Sequence, residues 1–145
     1  VLIFMVMKNT QAQKNDFGFR FNHLALSVKN VDSSIRFYTT VLQLEEITNR
    51  TKSAGIRWVS LGEGKELHLI STLNIPVSIN KAVHLALSTS HFDELVEHLK
   101  SMHTSFSDWP GNPGAINMRA DGIKQVYLQD PDGYWIEINN DVPKN

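Results

Sequence analysis

Two segments of the chain alternate between apolar residues and polar or small residues in the same way. The pentapeptide His-Leu-Ala-Leu-Ser occurs at His23–Ser27 and again at His84–Ser88. Alternation with a period of two is typical of a β-strand that is buried on one face. Each copy therefore predicts a strand that packs its leucines into a core and directs its histidine to the opposite face. An identical pentapeptide with similar patterning after it also predicts an internal repeat.

The first repeat predicts one helix and four strands. The predicted elements are, in order, the strand Phe21–Val28, the helix Val31–Leu42, the strand Leu44–Arg50 and the hairpin strands Gly55–Leu61 and Glu66–Ser71. Asn30 or Asp32 is expected to cap the helix, because short polar side chains accept hydrogen bonds from its first free N–H groups. Gly62 and Gly64 favour the tight turn of the hairpin.

The second repeat predicts the same order of elements. These are the strand Ala82–Thr89, a helix whose buried stripe is Phe92, Leu95, Leu99 and Met102, a short strand near Thr104–Asp108, and the strands Ile123–Gln129 and Tyr134–Asn139. Ser90 to Asp93 fits a capping box at the start of the helix. Trp109–Asp121 contains two prolines and two glycines and is expected to be mostly loop. Asp130 to Gly133 fits a type I turn between the last two strands.

The repeats predict an α+β fold of two βαβββ modules. Neither module closes its own sheet, so we expect the two to pair through their first strands into one curved, partly closed sheet around a metal-site cavity. The predicted boundaries are a single domain at residues 21–140, with module one at about 21–72, a connector at Thr72–Lys81 and module two at about 82–140. Residues 1–20 are predicted to be an N-terminal tail or the remnant of a signal peptide, and residues 141–145 a C-terminal tail.

Composition narrows the classes of function. The 145 residues include 14 basic and 15 acidic ones, and no basic run favours nucleic acid or an anionic membrane as a partner. The absence of cysteine excludes disulfides, thiolate catalysis and thiolate ligands to a metal. The apolar run Val1–Met7 is too short to span a bilayer. It is either the end of a secretory signal cleaved after Ala12, which predicts export, or a tail translated from Met5 or Met7, which predicts a cytoplasmic protein.

Four polar residues in these strands are candidate metal ligands. His23 and His84 occupy the same position in the two copies, and His68 and Glu137 are equivalent in the fourth strand of each module. A polar group in the centre of an apolar strand is costly unless it has a partner. If the sheet brings the four together, they predict a site for zinc, nickel, cobalt, manganese or iron(II), with Glu66 as an alternative to His68. The remaining histidines are predicted to lie on a solvated helix face away from this site: His91, His98 and His103.

Three segments resemble the vicinal-oxygen-chelate superfamily, which includes glyoxalase I, bleomycin-resistance proteins, fosfomycin-resistance enzymes and extradiol dioxygenases. The resemblance covers Phe21 to about Asn140, and its segments are Asn22–Val28 with Ile35–Tyr38 after it, Val83–Ser88, and Gln129–Ile138. It implies metal ligands at His23, His84 and Glu137. A fourth ligand position falls on His68, where glyoxalase I commonly has glutamate. The resemblance also implies a homodimer in which modules of two chains complete each cavity.

The resemblance to glyoxalase I implies a lyase or isomerase that acts on a small carbonyl compound or thiol adduct, with glutathione or another thiol as a possible cosubstrate. In such a mechanism the metal polarises substrate oxygens, and Glu137 moves a proton while also binding the metal. The candidates for substrate contacts are Arg57, Trp58, Arg119, Lys124, Tyr127 and Trp135. Two other classes remain open, which are another metalloenzyme on this scaffold, such as a ring-cleaving dioxygenase or a thiol transferase, and a non-enzymatic binding module.

Overall fold

A computed structural model describes residues 17–143, which form two modules with the same order of elements. The first module consists of β1 (His23–Val28), α1 (Val31–Arg36), a π-helical turn (Phe37–Val41), β2 (Glu46–Ile47), β3 (Ile56–Gly62) and β4 (Lys65–Ser71). The second consists of β5 (His84–Ser88), α2 (Phe92–Ser101), β6 (Asn117–Met118), β7 (Lys124–Gln129) and β8 (Trp135–Asn139). The predicted βαβββ repeat is therefore confirmed.

Each module contains one four-stranded mixed sheet. The strand order is β1-β4-β3-β2 in the first sheet and β5-β8-β7-β6 in the second. In both sheets the first strand runs parallel to the fourth, and the other pairs are antiparallel. β1 and β5 are thus outer strands, and within residues 17–143 they do not pair with each other. The α+β class is confirmed, but the expected single, partly closed sheet is wrong, because the two sheets are separate and not closed.

One hydrophobic core joins the two modules. β1 contributes Leu26 and Val28 to this core, α2 contributes Phe92 and Leu99, and further buried side chains come from both sheets. Burial of such apolar surface is the main favourable term in folding. Because side chains alternate along a strand, the faces that carry the histidines are turned away from the core. The shared core thus joins the two modules without strand pairing between β1 and β5.

Polar contacts at the turn between β7 and β8 also join the modules. The buried Tyr38 hydroxyl donates a hydrogen bond of 3.0 Å to Asp130 Oδ2. Tyr134 donates through its hydroxyl to the Ser27 carbonyl oxygen at 2.8 Å. The turn itself is closed by a bond of 3.0 Å from the Gly133 N–H to the Asp130 carbonyl oxygen, which agrees with the predicted turn. These bonds link the second module to β1 and to the π-helical turn of the first.

The first module differs from its prediction mainly in its helix. The helix begins as predicted, with Asn30 Oδ1 accepting a hydrogen bond of 2.9 Å from the Ser33 N–H. It is α-helical only to Arg36 and continues as the π-helical turn. The Thr39 hydroxyl donates to the Ile35 carbonyl oxygen at 2.8 Å, a type of local bond that bends or interrupts α-helices.

The second module differs at both ends of its helix. α2 begins at Phe92, and its N-cap residue His91 makes no side-chain capping bond, so the predicted capping box is wrong. The His91 N–H instead donates to the Thr89 hydroxyl at 3.0 Å. At the other end Met102 is 40% exposed, whereas Val96, which was not in the predicted stripe, is buried.

Some of the predictions concern short strands or the chain ends. The strand predicted at Leu44–Arg50 is reduced to the two residues of β2, and the strand predicted near Thr104–Asp108 to isolated bridges at Ser107. The predicted signal-peptide remnant lies largely outside the described residues, and the domain boundaries stay predictions. No helix between residues 17 and 143 has the length and apolar content needed to cross a bilayer.

Candidate functional site

The strand registers show which positions of the two modules are equivalent. In the first sheet, His68 lies directly opposite Ala25 on β1. In the second sheet, Glu137 lies directly opposite Ala86 on β5. Each alanine follows the repeated histidine of its strand by two positions, so the alanine and the histidine point to the same face. All four predicted metal ligands therefore lie on the histidine-bearing faces of the two sheets, and His68 is the counterpart of Glu137.

The Glu137 carboxylate is buried on the histidine-bearing face of the second sheet and is held by neighbouring donors. Oε1 accepts hydrogen bonds from the side-chain amides of Gln125 and Asn139, both at 2.7 Å. Oε2 accepts a bond of 2.9 Å from the Tyr127 hydroxyl. Burial opposes ionisation, but these bonds outweigh it and hold the pKa of Glu137 below its ordinary value. Burial and the bond to Glu137 raise the pKa of Tyr127, which keeps its hydroxyl a donor.

His84 lies beside this carboxylate in an orientation suited to a metal ligand. Its Nδ1 is 2.8 Å from the Lys81 carbonyl oxygen, which is an acceptor, so Nδ1 carries a proton and Nε2 is the atom directed at Glu137. Nε2 is 3.2 Å from Glu137 Oε2. Two acceptor atoms at this distance repel unless a proton or a metal ion lies close to both. The separation agrees with the roughly 3.0–3.4 Å expected between neighbouring ligand atoms that are each about 2.1 Å from one ion.

His23, on the histidine-bearing face of the first sheet, is oriented in a similar way. Its Nδ1 is 2.6 Å from Asn22 Oδ1, an acceptor, which leaves the lone pair on Nε2. The His23 ring stacks on the His68 ring with a centroid separation of 4.2 Å and an angle of 12° between the planes. His68 in turn stacks on Trp58 at 4.0 Å and 5°. His23 is exposed and therefore accessible to a ligand.

The Nε2 atom of His68 is hydrogen-bonded to a carboxylate and does not point to a position where a metal ion could bind. Its Nε2 is 2.8 Å from Glu66 Oε2, and Arg50 holds the same carboxylate through contacts of 2.9 and 3.1 Å. The lone pair with which an imidazole binds a metal lies in the plane of its ring. Because the rings of His23 and His68 are stacked 4.2 Å apart and nearly parallel, they do not direct lone pairs at one ion. This placement disagrees with the prediction that His68 shares a metal with His23.

The candidate ligands form two groups that do not meet within one chain. We call His23 with Asn22 the first half-site, and His84 with Glu137 the second half-site. Among residues 17–143, no three His, Asp or Glu side chains are grouped so that they could hold one metal ion. Within the described part of one chain the four candidate ligands do not converge, because both sheets turn their opposite faces into the shared core. The assignment of His23, His84 and Glu137 as ligands stays a prediction.

Two of the predicted substrate contacts lie away from both half-sites. Arg57 is on the core-facing side of β3, where its guanidinium binds Glu46 at 2.6 Å and Asp32 at 2.7 Å. Lys124 is on the core-facing side of β7, and its ammonium binds the Asp93 carboxylate of α2 at 2.8 Å. Both cations link helices to their sheets, and a role for them in substrate binding stays a prediction.

Three other predicted contacts lie close to the half-sites. Trp58 is 5% exposed. Among the buried polar side-chain atoms in the described part of the chain, its indole nitrogen is the one that has no hydrogen-bond partner. Tyr127 is the hydroxyl donor to Glu137. Arg119 forms ion pairs with two aspartates, and these raise the pKa of its guanidinium. Glu137 is near enough to make a smaller contribution to the same rise in pKa.

Lys81 connects the second half-site to the long loop that follows α2. Its ammonium lies 4.7 Å from the ring centroid of Trp135, the remaining predicted contact, and 5.5 Å from that of Tyr127. It also donates to the carbonyl oxygens of Asp108 and Trp109 at 3.1 and 3.2 Å. A cavity of about 360 Å³ adjoins the two rings, and its lining comprises residues 104–107, Pro113, residues 127–129 and Trp135. Lys81 thus holds this loop at the edge of the cavity.

Several of these site residues were not predicted. Gln125 and Asn139 alternate with buried apolar residues in β7 and β8, so the period of two could have placed them on the face of Glu137. Lys81 gave no such signal, because it lies in the connector between the modules, where no periodic pattern exists.

Known proteins resemble this chain over most of its length. It is 26% identical over 132 residues to the metallothiol transferase FosB of Staphylococcus epidermidis (strain ATCC 12228 / FDA PCI 1200), a match that covers 86% of this chain and 83% of FosB. The solved structure of Oxidase ChaP-H2 has a TM-score of 0.71 at 23% identity, over 88% of this chain and 97% of that one. Lactoylglutathione lyase from Agrobacterium tumefaciens has a TM-score of 0.63 at 18% identity, over 84% of this chain and 93% of that one. The two structural likenesses support the fold.

Residues 20–138 match the model of one protein family along both modules. The description of that family is Glyoxalase/Bleomycin resistance protein/Dioxygenase superfamily. The matched range includes both half-sites and His68. The chain therefore belongs to the glyoxalase/bleomycin resistance protein/dioxygenase superfamily.

Proposed function

We propose that this protein is a metal-dependent lyase or isomerase of the glyoxalase type, which acts on a small carbonyl compound or a thiol adduct. Its metal centre would consist of His23 from one chain and of His84 and Glu137 from a second chain. Members of the superfamily typically use a divalent metal ion. Two imidazoles and a carboxylate suit zinc, nickel, cobalt, manganese or iron(II).

The geometry of His84 and Glu137 is the main support for a metal centre. The Lys81 carbonyl accepts from Nδ1 of His84, which turns Nε2 toward a carboxylate oxygen at 3.2 Å. Histidines that bind metals usually donate their other N–H to a carbonyl or carboxylate, which orients the ring. His23 has the same kind of partner in Asn22. The donor set and its supporting contacts therefore fit a divalent ion.

The residues of the second half-site would bind the metal ion and hold it in place, and the ion would act as the Lewis acid. A divalent ion held there would polarise a substrate oxygen. Glu137 stays ionised because its hydrogen bonds lower its pKa. A low pKa suits a ligand and makes the carboxylate a weaker proton acceptor, so these contacts support the ligand role of Glu137 more than its role as base. The cavity beside Tyr127 and Trp135 offers space for the rest of the substrate.

A second copy of the chain would complete each centre. Both half-sites lie on faces turned away from the shared core, and His23 is exposed. Exposed aromatic side chains lie close to both, with Phe21 at 59% exposure two residues before His23 and Trp109 at 47% beside Tyr127. Association through a two-fold axis would cover these side chains and bring the first half-site of one chain to the second half-site of the other.

The same three-ligand set, without His68, also fits a second candidate class of enzyme. A set of two histidines and one carboxylate leaves several coordination positions open and is typical of non-haem iron oxygenases. One relative is named as a metallothiol transferase and one structural neighbour as an oxidase. The second candidate is thus a thiol transferase or a dioxygenase on the same scaffold.

Metal content tests the proposed centre. Elemental mass spectrometry of the untagged full-length protein should find about one divalent ion per chain, and His84→Ala should lose it. His91→Ala is the matched control, because this histidine is 78% exposed at the start of α2, and it should keep the metal. A wild-type protein that holds no metal, and takes up none during dialysis against an excess, would contradict the proposal and favour a non-enzymatic binding module.

Activity assays of the metal-loaded protein separate the two candidates. The lyase or isomerase predicts turnover of the hemithioacetal formed by a 2-oxoaldehyde and glutathione or another thiol, with loss of that turnover in His84→Ala. Addition of a thiol to an epoxide phosphonate, or uptake of dioxygen with a catechol and iron(II), without turnover of the hemithioacetal would support the second candidate instead.

A further inference from the structure

We infer that His68 is a positioning residue that fixes the ring of His23 by stacking, and that it does not bind the metal itself. This inference rests on the proposed function, because it takes His23 as a metal ligand. It concerns the first module alone and assigns a role to the Arg50, Trp58 and Glu66 side chains around His68.

Four planar groups form one continuous column on the histidine-bearing face of the first sheet. The Arg50 guanidinium carbon lies 4.4 Å from the Trp58 ring centroid, Trp58 lies 4.0 Å from His68, and His68 lies 4.2 Å from His23. Trp58 is buried and the His68 side chain is 13% exposed, whereas His23 is exposed at the outer end. The only ring of the column that is open to a ligand is thus supported from behind by a buried stack.

The column is anchored by an ion pair that prevents His68 from turning. His68 Nε2 donates to Glu66 Oε2 at 2.8 Å, and Arg50 binds the same carboxylate at 2.9 and 3.1 Å. Hydrogen bonds from Arg50 and His68 lower the pKa of Glu66, so the carboxylate remains an ionised acceptor. Arg50 therefore supports the column in two ways, because it stacks on Trp58 and also binds the Glu66 carboxylate that holds His68.

Two contacts in different directions define the orientation of His23. The hydrogen bond from Nδ1 to Asn22 acts within the plane of the ring, and the stack on His68 acts perpendicular to that plane. A hydrogen bond alone leaves a surface imidazole free to rotate out of this plane. The stack removes that freedom and keeps the Nε2 lone pair in one direction, which lowers the entropy that metal binding would cost.

Comparison of the two modules shows that the same positions serve different purposes. The position of His68 is taken by Glu137 in the second module, that of Trp58 by Tyr127, and that of Glu66 by Trp135. In the second module Glu137 lies beside His84 and accepts a hydrogen bond from Tyr127, whereas Trp135 lies against the Lys81 ammonium. In the first module His68 and Trp58 form a stack behind His23. The first module therefore supplies one proposed ligand and the side chains that support it, whereas the second module supplies two proposed ligands.

Metal affinity of substituted full-length protein tests this role. We would measure Zn²⁺ binding by isothermal titration calorimetry for the wild type, His68→Phe, His68→Ala and His23→Ala. His68→Phe keeps a stacking ring without any nitrogen and should bind Zn²⁺ within about threefold of the wild type. His68→Ala removes the stack and should weaken binding about tenfold, the loss typical of a residue that supports a ligand. His23→Ala should weaken it much further.

The outcomes separate the inference from the proposed function. If His68→Phe loses as much affinity as His23→Ala, or if His68→Ala binds as well as the wild type, the positioning role is wrong while the centre stands. If His23→Ala keeps full affinity, the proposed centre itself fails. Cobalt(II)-loaded wild type gives a check that needs no variant, because proton NMR should then show two shifted, exchangeable imidazole N–H signals, from His23 and His84. A third such signal would make His68 a ligand and overturn the inference.

Discussion

Glu137 illustrates how a single charge is kept inside an apolar strand. Removing a carboxylate from water costs on the order of several kcal/mol unless hydrogen-bond donors replace the lost hydration. Gln125, Asn139 and Tyr127 supply these donors, and they lower the carboxylate's pKa despite its burial. The network thus prepares an ionised oxygen beside His84 before any metal or substrate arrives.

This network predicts a pH-dependent contribution of Glu137 to stability. Because the folded-state pKa is below the ordinary value of 4.5, the contribution is complete above that pH and is lost as the pH falls through the folded-state pKa. Glu137→Gln in the metal-free protein should therefore lower the free energy of unfolding by about 2–4 kcal/mol at neutral pH and by much less in acid. Urea unfolding between about pH 7 and pH 3 measures this, with Glu97→Gln on the exposed face of α2 as control. An equal difference at both ends of the range would contradict it.

The sequence could predict the face of a strand residue only where neighbouring apolar residues identified the side that faces the core. His23, His84 and Glu137 were placed on the correct faces, because the buried leucines and isoleucines next to them identify the core side. Arg57 and Trp58 are neighbours in β3 and must point to opposite faces, and both were candidates for the site. The structure places Trp58 on the histidine-bearing face, opposite His68, and Arg57 on the other face in ion pairs with α1 and β2.

At the scale of elements, long strands were easier to predict than helix ends and irregular segments. β4 and β8 have several alternating residues each, so their period is clear. At the start of α2 the His91 N–H donates instead to the Thr89 hydroxyl, in place of the capping box that Ser90 to Asp93 predicted. The connector and the loop after α2 are fixed by contacts between distant segments, of which local patterns contain no trace.

Lys81 joins two of these irregular segments, and its ammonium should be needed to order the loop. Lys81→Met keeps the aliphatic part of the side chain but removes the bonds to Asp108 and Trp109. We expect amide hydrogen exchange in residues 107–114 to become about tenfold faster, because these bonds no longer oppose local opening. Hydrogen-exchange mass spectrometry measures this, with Lys100→Met on the exposed side of α2 as control. Unchanged exchange in the loop would refute the role of Lys81.

At the scale of the whole molecule, the shared core decides where the candidate site can form. The apolar faces of both sheets pack into one cluster with α1 and α2, so both histidine-bearing faces look away from it. The sequence repeat identified the two faces but not how the sheets lie relative to each other, since that depends on which surfaces are buried together. The first half-site has an exposed histidine, and the second has a partly exposed His84 beside the buried Glu137, both on outward faces, as the proposed two-fold dimer with two complete centres requires.

Complementation between two defective chains tests this account most directly. His23→Ala keeps the second half-site and His84→Ala keeps the first, so neither homodimer should hold a metal ion. In a heterodimer, purified by a different tag on each chain, the His23 of one chain meets the His84 and Glu137 of the other. We expect about one ion per heterodimer by elemental mass spectrometry, about half of the wild-type content. A heterodimer as empty as the two homodimers would contradict a centre shared between chains.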